Sequence, residues 1–227
     1  GQAEYHLNGG VLDSGFIGIS WVTATGQSKF YFNGGTLKAN TDDPSSAVAA
    51  AVGQTSYMQN LKQVVVQEGG AIVDTNTHSI TIAQNLEHGG DLAKDGGLTK
   101  LGEGTLILTG VNTYTGDTTV SAGTLTLADA EVPGQLKFFI TGTGLTTNSN
   151  KITGDGAVQL DGDFIFDMAA AGDTLGDTWI IVDNATLAET FSETFTLVDF
   201  TGGEGAGVLW SKPITSSKIY EFSEATG

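Results

Sequence analysis

"GEGTLILTGVNTYTGDTTVSAGTLTLAD", residues 102–129, says nearly the same thing twice. Gly104-Thr105-Leu106 returns as Gly123-Thr124-Leu125, 19 residues later, with a turn-rich stretch between. Side chains of a strand alternate between its two faces, so Leu106 and Leu108 share one face and Thr105 and Ile107 the other. Leu125 and Leu127 share a face in the same way. The offset sets Leu125 on Leu106 and Leu127 on Leu108.

Weaker copies flank this pair. Asn8-Gly9-Gly10-Val11-Leu12 resembles Asn33-Gly34-Gly35-Thr36-Leu37, and Gly69-Gly70-Ala71-Ile72 and Gly156-Ala157-Val158 are looser versions. Repetition at such a period is the mark of a solenoid. Because the units are strands, the expected architecture is all-β, a parallel β-helix with leucines stacked inside and glycines at the corners. At about 20 residues per coil and ~4.8 Å between coils, the expectation is roughly ten coils and a rod near 50 Å long.

The strand signals are short runs of Thr, Val, Ile and Phe closed by Gly, Asn or Asp. They predict strands at 105–109, 124–127, 163–167, 178–182 and 195–198. One segment breaks the rhythm. Asp42-Asp43-Pro44 followed by an alanine-rich run predicts a short helical insertion near 44–62, with Asp43 as its cap and Pro44 in its first position. The Gly-Thr-Leu rhythm fades after Asp129. The chain is therefore divided into 1–129, a parallel β-helix with its clearest repeat at 96–129, and 130–227, an irregular β-rich part that continues the stack or caps it. A cap is expected because an open end is an adhesive sheet edge. The opening Gly1-Gln2 runs straight into strand-like sequence, as expected of a piece of a longer chain.

Composition narrows the chemistry. Glycine accounts for 33 of 227 residues, and cysteine is absent, which removes disulfides and thiolate sites. All nine basic residues are lysine, against 26 acidic ones, for a formal net charge of −17. Such a surface repels nucleic acid and anionic lipid, which require clustered positive charge. No run of 18 apolar residues predicts a membrane-crossing helix.

"GGLTKLGEGTLILTGVNTYTGDTTVSAGTLTLAD", residues 96–129, resembles the autotransporter-associated β-strand repeat, also called the passenger-associated transport repeat. The resemblance rests on Gly97-Leu98-Thr99-Lys100, Gly102, Gly104-Thr105-Leu106, Leu108-Thr109-Gly110, Asn112-Thr113-Tyr114-Thr115-Gly116, Thr118-Thr119-Val120 and Gly123-Thr124-Leu125. It implies a right-handed helix, an extracellular or bacterial cell-surface location and, in true autotransporters, help in crossing the outer membrane.

Candidate sites for chemistry are few. A polysaccharide lyase on this fold would want a calcium site and a basic residue, often arginine; none exists, and Lys94, Lys100, Lys137 and Lys151 stand in corner-like contexts. Glycoside hydrolysis needs two opposed carboxylates. Asp161 and Asp163, at alternate positions with Asp167 nearby, are the candidate pair, either for a cation such as calcium or as turn residues facing water. No other cofactor is expected. His6, His78 and His88 lack zinc spacing. Asp74, His78 and Ser79 lie close in sequence, but without a nucleophile elbow they do not predict a triad. The aromatic residues Trp21, Trp179 and Trp210, with five tyrosines, admit a sugar-stacking surface; Trp179 reads as core.

The expectation is a non-enzymatic structural or adhesive segment of a large secreted surface protein, with Gly104, Thr105, Leu106, Leu108, Gly123, Thr124, Leu125 and Leu127 as its structural repeat. Its expected partners are copies of itself, stacked end to end, or surface glycans. The alternatives are a polysaccharide-binding or polysaccharide-active helix and a module that only assists export.

Overall fold

The computed structural model describes residues 3–18, 28–44, 53–127, 134–143, 149–160, 162–183, 185–191, 195–202, 209–215 and 218–224. The chain lays down strands in threes. The first rungs are β1 (Glu4–Leu7), β2 (Val11–Ser14) and β3 (Ile17–Gly18), then β4 (Lys29–Phe32), β5 (Thr36–Ala39) and β6 (Met58–Gln59). Next come β7 (Gln63–Val66), β8 (Ala71–Asp74) and β9 (Ser79–Ile82), then β10 (Leu86–His88), β11 (Leu98–Leu101) and β12 (Thr105–Leu108). They are followed by β13 (Val111–Asn112), β14 (Thr118–Val120) and β15 (Thr124–Leu127), then β16 (Gln135–Gly142), β17 (Ile152–Gly154) and β18 (Ala157–Leu160). The last are β19 (Asp163–Ala171), β20 (Ala188–Phe191) and β21 (Thr196–Leu197), before β22 (Thr201–Gly202), β23 (Leu209–Thr215) and β24 (Lys218–Ser223).

Strands of the same place in successive triplets pair with one another as far as β19, after which β20 adds to β18 and β21 to β19. The sheets run β1-β4-β7-β10, β2-β5-β8-β11-β14-β17, β3-β6-β9-β12-β15-β18-β20 and β13-β16-β19-β21. Every pairing within them is parallel. Among the described residues, only β22, β23 and β24 form an antiparallel sheet. The fold is all-β with parallel sheets, consistent with a β-helix.

Strict alternation builds the interior. Ile80, Leu106, Leu125 and Val158 are register partners in one column, and Ile82, Leu108, Leu127 and Leu160 in the next. All eight are sealed from solvent. Each such side chain contributes about 1.5–3 kcal/mol by leaving water. Towards the C-terminal end the core turns aromatic: Phe164 meets Phe138, Phe191, Phe195 and Phe222 in edge or T-shaped contacts. Close backbone approach fixes the corners. A Cβ on Gly104 would sit 2.0 Å from the His78 carbonyl oxygen. Gly97 adds a left-handed φ of +70° to the same kind of crowding against Asp117.

Three expectations change. Among the described residues the longest sheet has seven strands, against an expectation of roughly ten coils. The 19–20-residue spacing holds only where Lys100 meets Val120 and Leu106 meets Leu125; along the Leu12–Leu37–Val73–Lys100 column the spacings are 25, 36 and 27 residues. Between Val73 and Lys100 the excess lies in residues 89–97, which join β10 to β11. No strand forms at 178–182, where Val182 makes a single bridge to Ile152.

The helical insertion near 44–62 is not seen either. Residues 45–52 lie outside the described residues, and 53–62 hold turns and the two-residue β6. The Asp43 carboxylate does other work than capping. One oxygen accepts the Tyr57 and Thr81 amides at 2.7 and 2.8 Å, and the other accepts the Thr81 hydroxyl at 2.6 Å. Asp42 accepts the Ser79 amide at 2.7 Å. β6 offers β9 only the pair Met58–Ile82. The two carboxylates therefore replace the backbone acceptors that a full-length strand would supply.

Candidate functional site

Two polar anchors hold the repeat, Lys100 within it and Asp95 just ahead of it. Alternation along β11 turns Leu98 and Lys100 inward, and Lys100 takes the place held by Val73 in one neighbouring strand and Val120 in the other. Its side chain is fully buried. The ammonium donates to the Thr75 hydroxyl at 3.0 Å and to the carbonyls of Leu101, Gly102 and Ala122 at 3.1, 2.7 and 3.0 Å. Burial pushes its pKa down to about 8, and the acidic Asp74 and Glu103 offset part of that shift. Lys100 was expected at a corner; it starts inside a strand and reaches the corner from within.

The second anchor is Asp95. Oδ1 accepts the amides of Gly97 and Gly116 at 2.9 and 2.8 Å, and Oδ2 accepts that of Thr115 at 2.8 Å. His88 Nδ1 lies 2.8 Å from Oδ2 and 3.1 Å from the Thr115 hydroxyl. Threonine, histidine and aspartate thus meet, but both contacts fall on the same imidazole nitrogen. A relay needs the nucleophile on one ring nitrogen and the carboxylate on the other. The cluster is a corner clamp.

Of the carboxylate pair, Asp161 lies outside the described residues. Asp163 opens β19 and is buried, accepting from the Gln135 amide at 3.1 Å and from the Thr196 hydroxyl. Asp167 pairs with Lys137 at 2.9 Å. Among the described residues, no three His, Asp or Glu side chains group closely enough to hold a metal. His78 faces Asp42 at 3.5 Å and not Asp74. His6 stacks on Tyr31 with centroids 4.3 Å apart. Tyr57, Tyr114 and Trp210 are buried, and Trp21 lies outside the described residues.

A groove passes unpredicted. Two adjoining cavities of about 380 and 390 Å³ share Lys94 and Ser149 as lining. The first also has Asp117, Lys151 and Trp179 in its wall, the second His88 and Phe139. Trp179, expected in the core, is half-buried and donates its indole N–H to the Thr141 carbonyl at 2.8 Å. The contributing residues are scattered from 88 to 180, and only the stacking of rungs assembles them. Alternation against Leu98 was the available signal for Lys100; the groove had none.

The comparisons with known proteins bear on the repeat. Residues 98–127 match the family described as passenger-associated-transport-repeat. A 37-residue stretch is 62% identical to the adhesin BmaC autotransporter of Brucella suis biovar 1 (strain 1330), covering 16% of this chain and 1% of that protein. The match therefore spans a very small part of that relative's length. No solved structure matches the chain. The chain carries a passenger-associated transport repeat and is of the secreted or surface-exposed kind.

Proposed function

We propose that this chain is a non-catalytic structural or adhesive segment of a larger secreted bacterial surface protein, wound as a right-handed β-helix. The observation that carries this reading is the unbroken column Ile80–Leu106–Leu125–Val158 through the matched repeat. Each rung satisfies the backbone bonds of the next, so the element is stiff without disulfide or metal. The segment 130–227 extends the stack and closes it with the antiparallel β22–β24 sheet. A non-enzymatic role is supported by the engagement of Asp95 and Asp163 in structural hydrogen bonds. The BmaC protein is named an adhesin, which favours the adhesive form of the reading. Copies stack end to end, the edge strands β1, β2 and β3 of one copy meeting the strands at the C-terminal end of the next.

Negative-stain electron microscopy of the purified chain, with a polysaccharide panel incubated on the same sample, tests both parts. The expected result is end-to-end strings and no cleavage product. Turnover of any polysaccharide overturns the non-catalytic reading, and isolated particles at every concentration overturn the stacking.

A further inference from the structure

The groove beside the repeat balances its charges on a chain whose formal charge is −17. Two of the nine lysines line it. Lys94 Nζ lies 3.4 Å from Asp117 Oδ1, and the Lys151 backbone amide donates to that same oxygen at 3.3 Å. Asp117 therefore ties the Lys94 ammonium to the Lys151 backbone on one wall. The Lys151 ammonium meets Asp183 at 2.8 Å. Each ammonium has three N–H donors, so both retain capacity for a further acceptor. These four side chains sum to zero charge, so an anion meets less repulsion here than over the acidic surface as a whole. Trp179 supplies an apolar ring surface in the same cavity, and Ser149 and Thr178 supply hydroxyls.

We propose that this groove binds a saccharide bearing a single carboxylate within an otherwise neutral glycan. The carboxylate lies between the ammoniums of Lys94 and Lys151, the sugar ring packs on Trp179, and the hydroxyls of Ser149 and Thr178 meet its hydroxyl groups. The remaining N–H donors of the two ion-paired lysines match one carboxylate. A polyanion carries further charges onto the acidic flanks and is repelled, which selects an isolated acid over a polyuronate. The inference rests on the adhesive reading above and names its ligand class.

The test uses the full 227-residue chain on an array of neutral oligosaccharides, each paired with its sialylated and its singly uronate-bearing counterpart, with polygalacturonate alongside. The expected result is retention of at least one acidic member over its neutral counterpart, with polygalacturonate weaker than that member. Lys94→Gln and Lys151→Gln are each expected to weaken binding about tenfold, the worth of one charge-assisted hydrogen bond. Both side chains are on the surface, and an unchanged circular dichroism spectrum checks that the fold is intact. Equal retention of acidic and neutral members, or binding indifferent to both substitutions, overturns the proposal. End-to-end strings with no glycan retained sink this site alone. Retention followed by cleavage upholds the site and overturns the non-catalytic reading.

Discussion

The Lys100 ammonium donates to the Ala122 carbonyl oxygen of the next rung, 3.0 Å away, from a position sealed from solvent. The charge is held by oxygens alone, three of them backbone carbonyls. Burial lowers the folded-state pKa to about 8, against 10.5 for an ordinary lysine. Between these values the unfolded chain binds the proton that the folded chain has released, so stability rises with pH across that window. Below pH 8 both states are charged and no slope arises from this group. Burial also raises the pKa of Tyr57 and of Tyr114 well above the usual phenol range. Above pH ~10 the unfolded phenols ionise first, and stability falls. The melting temperature is thus expected to climb from pH 8 towards 10 and then drop. Lys100→Met should abolish the climb and keep the drop; a climb of the same size in that variant would sink the assignment.

Leu125 fills the interior between Leu106 and Val158. Leu125→Ala leaves a cavity in the middle of a column and is expected to cost about 3 kcal/mol in urea unfolding. Leu106→Ala should cost a similar amount. Because the two are buried register partners in adjacent strands, the double variant is expected to depart from the sum of the single effects. Strict additivity would show that the column does not pack as a unit.

How much could be read beforehand depends on the range of the interaction. Leu106 over Leu125 was legible because one offset and one alternation decide it. Lys100 inside the stack was legible in principle from the same alternation, with Leu98 as the guide. Asp43 was not, because its carboxylate stands in for backbone acceptors opposite Thr81, 38 residues away, and a residue with cap chemistry before a proline reads locally as a helix start. The groove is hidden for the same reason: Asp117 meets Lys94 and Lys151 only because 23 and 34 residues of chain bring the rungs into register.

Asp43 gives a local test of that substitution of side chain for strand. Asp43→Ala removes the acceptor of the Tyr57 and Thr81 amides and of the Thr81 hydroxyl. The expected loss is about 1–3 kcal/mol, concentrated at the seam between β6 and β9. Amide exchange at Tyr57 and Thr81 should quicken far more than at Leu106 and Leu125. Uniform acceleration at all four amides would mean that Asp43 supports the whole stack and not that seam.

The Asp95 clamp separates a structural reading from a catalytic one. Its carboxylate accepts three backbone amides and contacts His88. Asp95→Ala strands the Gly97, Thr115 and Gly116 amides at a crowded corner, where a Cβ on Gly116 would lie 2.2 Å from the Gly97 nitrogen and little adjustment is open. The expected cost is about 3–5 kcal/mol, the loss of several charge-assisted bonds together. His88 is partly exposed and bonds through Nδ1 alone, so His88→Ala is expected to cost about 1 kcal/mol. Urea midpoints for the two variants measure this asymmetry. If His88→Ala abolished an enzymatic turnover while leaving the midpoint unchanged, the cluster would be a catalytic centre and not a clamp.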